Sequence, residues 1–162
     1  MNKPTSVFIG LGSNVGDRQK NCEGAVAKLQ AHPQIGVIRT SQWHATKAVC
    51  LPGETQPDFI NGVCELTTSL NPEALHKILK EIEKEIGRQP NPQRWQPRVI
   101  DLDILFYGDA TVETATLKIP HPLLHERLFV LAPLCEIASD FVHPILKKTV
   151  ASLHQEVLKT PQ

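Results

Sequence analysis

Charge of one sign is missing from this chain: across 162 residues, 17 Lys plus Arg face 17 Asp plus Glu, for a formal net charge of zero. Without overall basicity there is no bulk attraction for nucleic acid, and any polyanion site would have to be a local patch. Paired cysteines are missing too. The four present, Cys22, Cys50, Cys64 and Cys135, show no C-x-x-C spacing. That removes the common zinc and redox arrangements and leaves buried or incidental thiols of a reducing compartment. No apolar run reaches the length of a membrane span. The opening Met1-Asn2-Lys3-Pro4-Thr5-Ser6 lacks the apolar stretch and cleavage site of a secretory signal, so the cytoplasm is the expected location. Internal repeats, linkers and low-complexity tracts are absent as well. Neither nucleic acid nor a membrane is therefore the expected partner. The chain is expected to be monomeric.

What is present is ordinary in bulk, with 41% apolar and 21% charged residues. The length suffices for one domain, residues 1–162, whose core needs no disulfide or metal staple. Thirteen prolines imply several stiff loops. Residues 6–11 spell a short apolar strand, and Asp17, after a Gly-Ser-Asn turn, is placed to cap a helix running to about residue 30. A second strand is expected over residues 36–43, a long and therefore functional loop over 45–58, and an alternating strand within 59–70. Asn71 and Pro72 open a helix as cap and first residue, Leu75, Ile78, Leu79, Ile82 and Ile86 form its apolar stripe, and Gly87 stops it. A strand to about residue 107 follows a Pro- and Arg-rich loop, then weak strands near 111–113 and 117–119. Helices over about 126–138 and about 147–158 end the chain. The order β-α-β-β-α-β predicts an α+β fold with a ferredoxin-like core, its mainly antiparallel sheet covered by helices, with extra C-terminal strands and helices.

The most informative stretch is Arg94-Trp95-Gln96-Pro97-Arg98-Val99-Ile100-Asp101-Leu102-Asp103-Ile104-Leu105. Its apolar, β-branched ends read as a buried strand, yet two aspartates stand in the middle. Strand alternation puts Asp101 and Asp103 side by side on one face, with Leu102 on the other. Two such carboxylates repel and are costly to desolvate. A cation between them removes the penalty, and hard oxygen ligands favour Mg²⁺. The preceding run, residues 87–100, holds Arg88, Arg94 and Arg98 and no acid. Carboxylates for a metal beside arginines for phosphate oxygens suit a nucleoside triphosphate. An isolated Asp-x-Asp is more often a pair neutralised by local arginines or lying on an exposed edge strand. His121 and His125 have a zinc-like spacing, but Pro122 disfavours the helix such a pair needs.

Ordered motifs along the chain narrow the reading. They are Leu11-Gly12-Ser13-Asn14, Gln56-Pro57-Asp58-Phe59-Ile60-Asn61, Gly87-Arg88, Arg94-Trp95-Gln96-Pro97-Arg98 running into Asp101-Leu102-Asp103, and Pro120-His121-Pro122 with His125-Glu126-Arg127 and Phe129. Together they resemble the 6-hydroxymethyl-7,8-dihydropterin pyrophosphokinases, folate-pathway enzymes that move pyrophosphate from ATP onto a pterin hydroxymethyl group and release AMP. Three features depart from the family pattern. Gln96 stands where the family usually has Gly, Pro90 replaces a basic residue found in some members, and the loop over 45–58 is longer.

The resemblance implies roles for single residues. Asp101 and Asp103 would hold two Mg²⁺ ions, with ATP as co-substrate. Arg88 and Arg98 would act on the phosphates in catalysis, and Arg98, Arg127, His121, Trp95, Glu83 and Ile104 would line the ATP site. Phe59 and Phe129 would sandwich the pterin, Asn61 would read its hydrogen-bonding edge, and Trp95 would reach the pterin from a lid over residues 88–98. Read without the resemblance, both phenylalanines would be core residues, Glu83 a solvated helix charge and His121 a turn residue. Two rivals have other chemistries. A polymerase-β-like nucleotidyltransferase also joins a Gly-Ser turn to an Asp-x-Asp strand, but on neighbouring elements, whereas Ser13 and Asp101 stand far apart. A non-catalytic ferredoxin-like binding module would need no carboxylate pair.

Overall fold

A computed structural model describes residues 4–46, 52–53, 58–87 and 99–160. Four strands carry the fold: β1 (Thr5–Ser13), β2 (Ile35–Thr40), β4 (Phe59–Thr68) and β5 (Asp101–Tyr107), with the three-residue β3 (His44–Thr46) between β2 and β4 in sequence. They pair in the order β2-β4-β1-β5, and β3 joins β4 beside β2. Every pairing in this sheet is antiparallel. A hairpin of β6 (Val112–Glu113) and β7 (Lys118–Ile119) stands apart, where weak strands are expected from the sequence. The architecture is α+β.

Alternation along β1 sorts the two faces. Val7, Ile9 and Leu11 are buried with Cys22, Ala25 and Leu29 of α1 (Arg18–Ala31) and Leu75, Leu79 and Ile82 of α2 (Pro72–Ile86). Burial of each large aliphatic in this layer contributes roughly 1.5–3 kcal/mol. Phe8, on the other face, joins Val63, Leu105 and Phe106 under Leu131 and Leu134 of α3 (Leu128–Ala138) and Val150, Leu153 and Val157 of α4 (Val150–Lys159). Both early helices start as their sequences predict. Asp17 accepts from the Lys20 amide at 3.1 Å and Asn71 from the Ala74 amide at 2.8 Å. Gly87, at φ 120°, closes α2 in a conformation that favours glycine.

Four boundaries differ from expectation. The loop expected over residues 45–58 loses its first two residues to β3. The strand expected over residues 36–43 is broken between β2 and β3, because Ser41 takes over the ladder. Its amide donates to the Val63 carbonyl at 2.8 Å and its Oγ accepts from the Val63 amide at 2.9 Å. The helix expected from residue 126 begins at Leu128, after a single 3₁₀ turn at Leu124–Glu126. The last helix starts at Val150, capped by Thr149, because Lys147 turns the chain at φ 59°. Cys22 and Cys64 are free and buried. Burial, with Glu23 adding for Cys22, pushes both thiols up to about 12. Among the described residues, no helix is long and apolar enough to cross a membrane.

The break at Ser41 also seats Trp43 on the sheet. A Cβ at Gly62 would lie 2.4 Å from the Trp43 ring and 3.2 Å from Ser41 Oγ, so glycine is what lets the indole lie against β4. Gly62→Ala should therefore destabilise the protein by about 1–3 kcal/mol through overpacking. A urea midpoint unchanged from that of the parent chain would show that the ring moves aside at no cost.

Candidate active site

The site is set by register. Gly12 of β1 lies opposite Asn61 of β4 on one side and opposite Asp101 of β5 on the other. Directly opposed residues share a face, so the Asn61 and Asp101 side chains flank a position with no side chain, about 10 Å apart across two strand spacings. Gly10 repeats the arrangement one step along, between Val63 and Asp103. The result is a strip with no side chains of its own, overhung by the Asn61 amide and the Phe59 ring at Gly12 and by Leu105 at Gly10, with an amide and an apolar side chain on one side and two carboxylates on the other.

On the amide side, Asn61 is buried, and its Nδ2 donates to Thr46 Oγ1 at 2.8 Å. Its Oδ1 is turned over Gly12, so that a Cβ at Gly12 would meet it at 2.7 Å and the Phe59 ring at 3.8 Å. Phe59, the first residue of β4, is half-buried beside this strip. Arg18 at the start of α1 hydrogen-bonds the Asp58 carbonyl just before it.

On the carboxylate side, Asp103 is held at about 7, far above the ordinary carboxylate range. Burial is the largest cause and the Asp101 charge the next, with Glu83 adding and Lys80 and Arg127 opposing. Glu83 is buried on α2, where its Oε2 accepts from the Leu102 amide at 2.8 Å and Lys80 Nζ lies 3.3 Å from Oε1. His121 is held below the usual imidazole range by burial first and then by Arg127, against the pull of Asp101. Its Nδ1 accepts from the Leu123 amide at 3.2 Å and its own amide donates to the Leu105 carbonyl at 3.0 Å. Arg127 stacks over the Phe129 ring at 5.5 Å, and that ring is 38% exposed, which is not the setting of a core phenylalanine.

The structure thus draws Asp101, Asp103, Glu83, His121 and Arg127 into one electrostatic neighbourhood, with Asn61 and Phe59 across Gly12. Ile104 differs. Its side chain packs in the core under α1 and α2, on the face opposite the two aspartates, so only its backbone on β5 is open to a ligand. Arg88, Trp95 and Arg98, with the lid expected over residues 88–98, lie outside the described residues.

The family described as 7,8-dihydro-6-hydroxymethylpterin-pyrophosphokinase (HPPK) matches the chain over residues 8–139. The chain belongs to this family. A 2-amino-4-hydroxy-6-hydroxymethyldihydropteridine pyrophosphokinase of Synechocystis sp. is 44% identical over 149 residues, 92% of this chain and 74% of that protein. One from Aquifex aeolicus is 41% identical over 151 residues, 93% of this chain and 91% of its own. Among solved structures, wild-type HPPK-DHPS of Plasmodium falciparum matches with a TM-score of 0.71 at 15% identity, over 96% of this chain and 45% of that one. That likeness is one of fold.

Sequence reasoning passed over two features of this strip. The role of Gly10 and Gly12 was legible in principle, since glycine at alternate strand positions marks a face open to close approach. Thr46 carried no signal, because its contact to Asn61 exists only through β3–β4 pairing.

Asp103 supplies a test. An unfolded aspartate releases its proton near pH 4, whereas folded Asp103 keeps it up to about 7. Between those values the folded state binds more protons, so stability falls as pH rises through the window. The urea midpoint of the ligand-free protein should decline over this range, and Asp103→Asn should flatten the decline. Parallel pH profiles for parent and variant would refute the assignment.

Proposed function

We infer that this protein transfers pyrophosphate from ATP to the hydroxymethyl group of 6-hydroxymethyl-7,8-dihydropterin, releasing AMP, a step of tetrahydrofolate biosynthesis. Family membership supports the reaction. The row Asn61–Gly12–Asp101 across three adjacent strands is the observation that supports this reading: a hydrogen-bonding amide beside the Phe59 ring stands on one side of a glycine and a pair of acids on the other.

In this reading the hydroxymethyl oxygen attacks the β-phosphorus, the bond from that phosphorus to the α-phosphate oxygen breaks, and AMP leaves. Such transfers depend on alignment and charge neutralisation. The donors fit Mg²⁺: two hard carboxylates on one strand face, of which Asp103 resists ionising until a positive charge is near. No group of three or more His, Cys, Asp or Glu converges among the described residues, and Mg²⁺ sites built on one or two carboxylates complete their shell with water and phosphate. Asp101 and Asp103 would hold the metal, which supplies charge neutralisation on the triphosphate when bound. Arg127 would donate to phosphate oxygens, and His121, largely neutral beside it, would donate one hydrogen bond. Arg88 and Arg98 would add cations from the segment before β5, and Trp95 a cover over both substrates. Glu83 would hold β5 in place at the ATP side, with the backbone of Ile104 beside it. Phe59 and Phe129 would stack on the pterin, and Asn61 Oδ1 would accept from one of its N–H groups.

We read residues 1–162 as one pyrophosphokinase domain on a ferredoxin-like core, working as a cytoplasmic monomer. Incubation with ATP, Mg²⁺ and the hydroxymethyl pterin, with both products weighed by mass spectrometry, tests the reaction; ADP or free pyrophosphate in place of AMP would overturn it. Asp101→Ala and Asp103→Ala should each lower turnover by about 10²-fold or more with the fold intact, and either variant keeping over half of parental activity at saturating Mg²⁺ would refute the metal assignment. Asn61→Ala should weaken pterin binding by about five- to a hundred-fold, since it leaves a pterin donor unpaired, while ATP binding holds. Calorimetric titration of both ligands checks this, and equal losses would mean a misplaced pocket.

A further inference from the structure

One carboxylate on α3 holds β3, the strand on which the Asn61 amide depends. Glu136 Oε2 accepts from the Gln42 amide at 3.0 Å, and Oε1 meets His44 Nε2 in a short contact. Gln42 lies in the break between β2 and β3, and His44 is the first residue of β3. A three-residue strand contributes few ladder bonds of its own, and an isolated ladder this short is marginal. β3 pairs with β4 through His44↔Asn61, Ala45↔Ile60 and Thr46↔Phe59, so the strand that carries Thr46 is fastened on its other side by Glu136. Nearby, Arg39 of β2 donates to the Ile137 carbonyl at 3.0 Å, and α3 is thereby docked on both sides of the break.

The geometry of α3 extends the argument. Phe129 and Glu136 are seven positions apart, which on a helix is close to two turns, the same side and ~10 Å along the axis. One helix, with Pro133 between the two residues, therefore presents an exposed aromatic ring at the carboxylate end of the site and anchors, at its other end, the strand on which Thr46 sits. Thr46 in turn takes the Nδ2 hydrogen of Asn61 and leaves Oδ1 over Gly12. Without that partner the amide is free to rotate, and an amide turned end for end offers a donor where an acceptor is needed.

We propose that Glu136, acting through His44 and the Gln42 amide, is a positioning residue for pterin recognition: it fixes β3 so that Thr46 holds the Asn61 amide with its oxygen toward the substrate. The inference rests on the reading of Asn61 as a pterin contact. It adds a specificity determinant on a helix that has no carbonyl or amide of its own in the strip, and it makes β3 placement, rather than metal or phosphate contacts, the quantity Glu136 controls.

Pterin and ATP affinities, together with kcat and both KM values, distinguish this from a general structural role. Glu136→Ala should raise the pterin dissociation constant about tenfold, with ATP affinity within about twofold, as small misplacement of a recognition group does. Glu136→Gln keeps an oxygen for the Gln42 amide and a polar group for His44, and should recover to within about threefold of the parent. In an Asn61→Ala background the Glu136→Ala loss should vanish, because the two act on one contact. If Glu136→Ala fails to fold, His44→Ala removes one of the two contacts and reads the same quantities. Unchanged pterin affinity, equal losses for both substrates, or a loss that persists without Asn61 would each overturn the proposal. If Asn61→Ala itself leaves pterin binding intact, the pocket reading falls and this inference with it; if Asn61→Ala weakens pterin and Glu136→Ala does not, only this inference falls.

Discussion

The register of β1 between its two neighbours is the constraint on which the site depends. Strand pairing has a period of two, so a slip of one residue would carry Gly10 and Gly12 to the face packed under α1 and α2, and bring Leu11 between Asn61 and Asp101 and Ile9 between Val63 and Asp103. The same slip would empty the layer under α1 and α2 of its central apolar residues. Core burial and site geometry thus enforce one another. The sheet cannot be paired for stability and mispaired for chemistry.

That arrangement gives the two sides of the strip opposite electrical characters. On β4, a neutral amide and an aromatic ring make a surface suited to a flat heterocycle. On β5, a half-buried aspartate near a second one stays reluctant to ionise, so that side carries less negative charge than its two carboxyl groups would suggest. Because β1 contributes only backbone, the two halves are separated by a distance the sheet itself fixes rather than by flexible side chains.

Much of this was legible in the sequence where local pattern decides structure. Caps at Asp17 and Asn71, the stripe of α2 and the Asp-x-Asp strand all follow from spacing alone, and the ordered motifs carried the family. What escaped was nonlocal. Ser41 breaks the second strand by bonding to Val63, and Trp43 settles on Gly62; neither contact has a signature in the residues near it. Ile104 is instructive in the other direction. The alternation that pairs Asp101 with Asp103 also sends Leu102 and Ile104 inward, so the strand period already leaves only the backbone of Ile104 for the place at the ATP site that the resemblance implies. Phe129 and Glu83 reversed their plain sequence readings, one exposed where a core ring was expected and the other buried where a surface charge was expected: Phe129 carries the guanidinium of nearby Arg127 over its ring, and Glu83 answers to the Leu102 amide of β5.

Glu83 has one more consequence. Among the described residues β5 ends the sheet, and an end strand presents unpaired amides that invite another chain to extend the ladder. Glu83 occupies the Leu102 amide from above, and a buried carboxylate there repels the carbonyl oxygens of any incoming strand. The side chain that braces β5 beside the two aspartates therefore also closes the border of the sheet, and a change at this position would bear on solubility as well as on the placement of that strand.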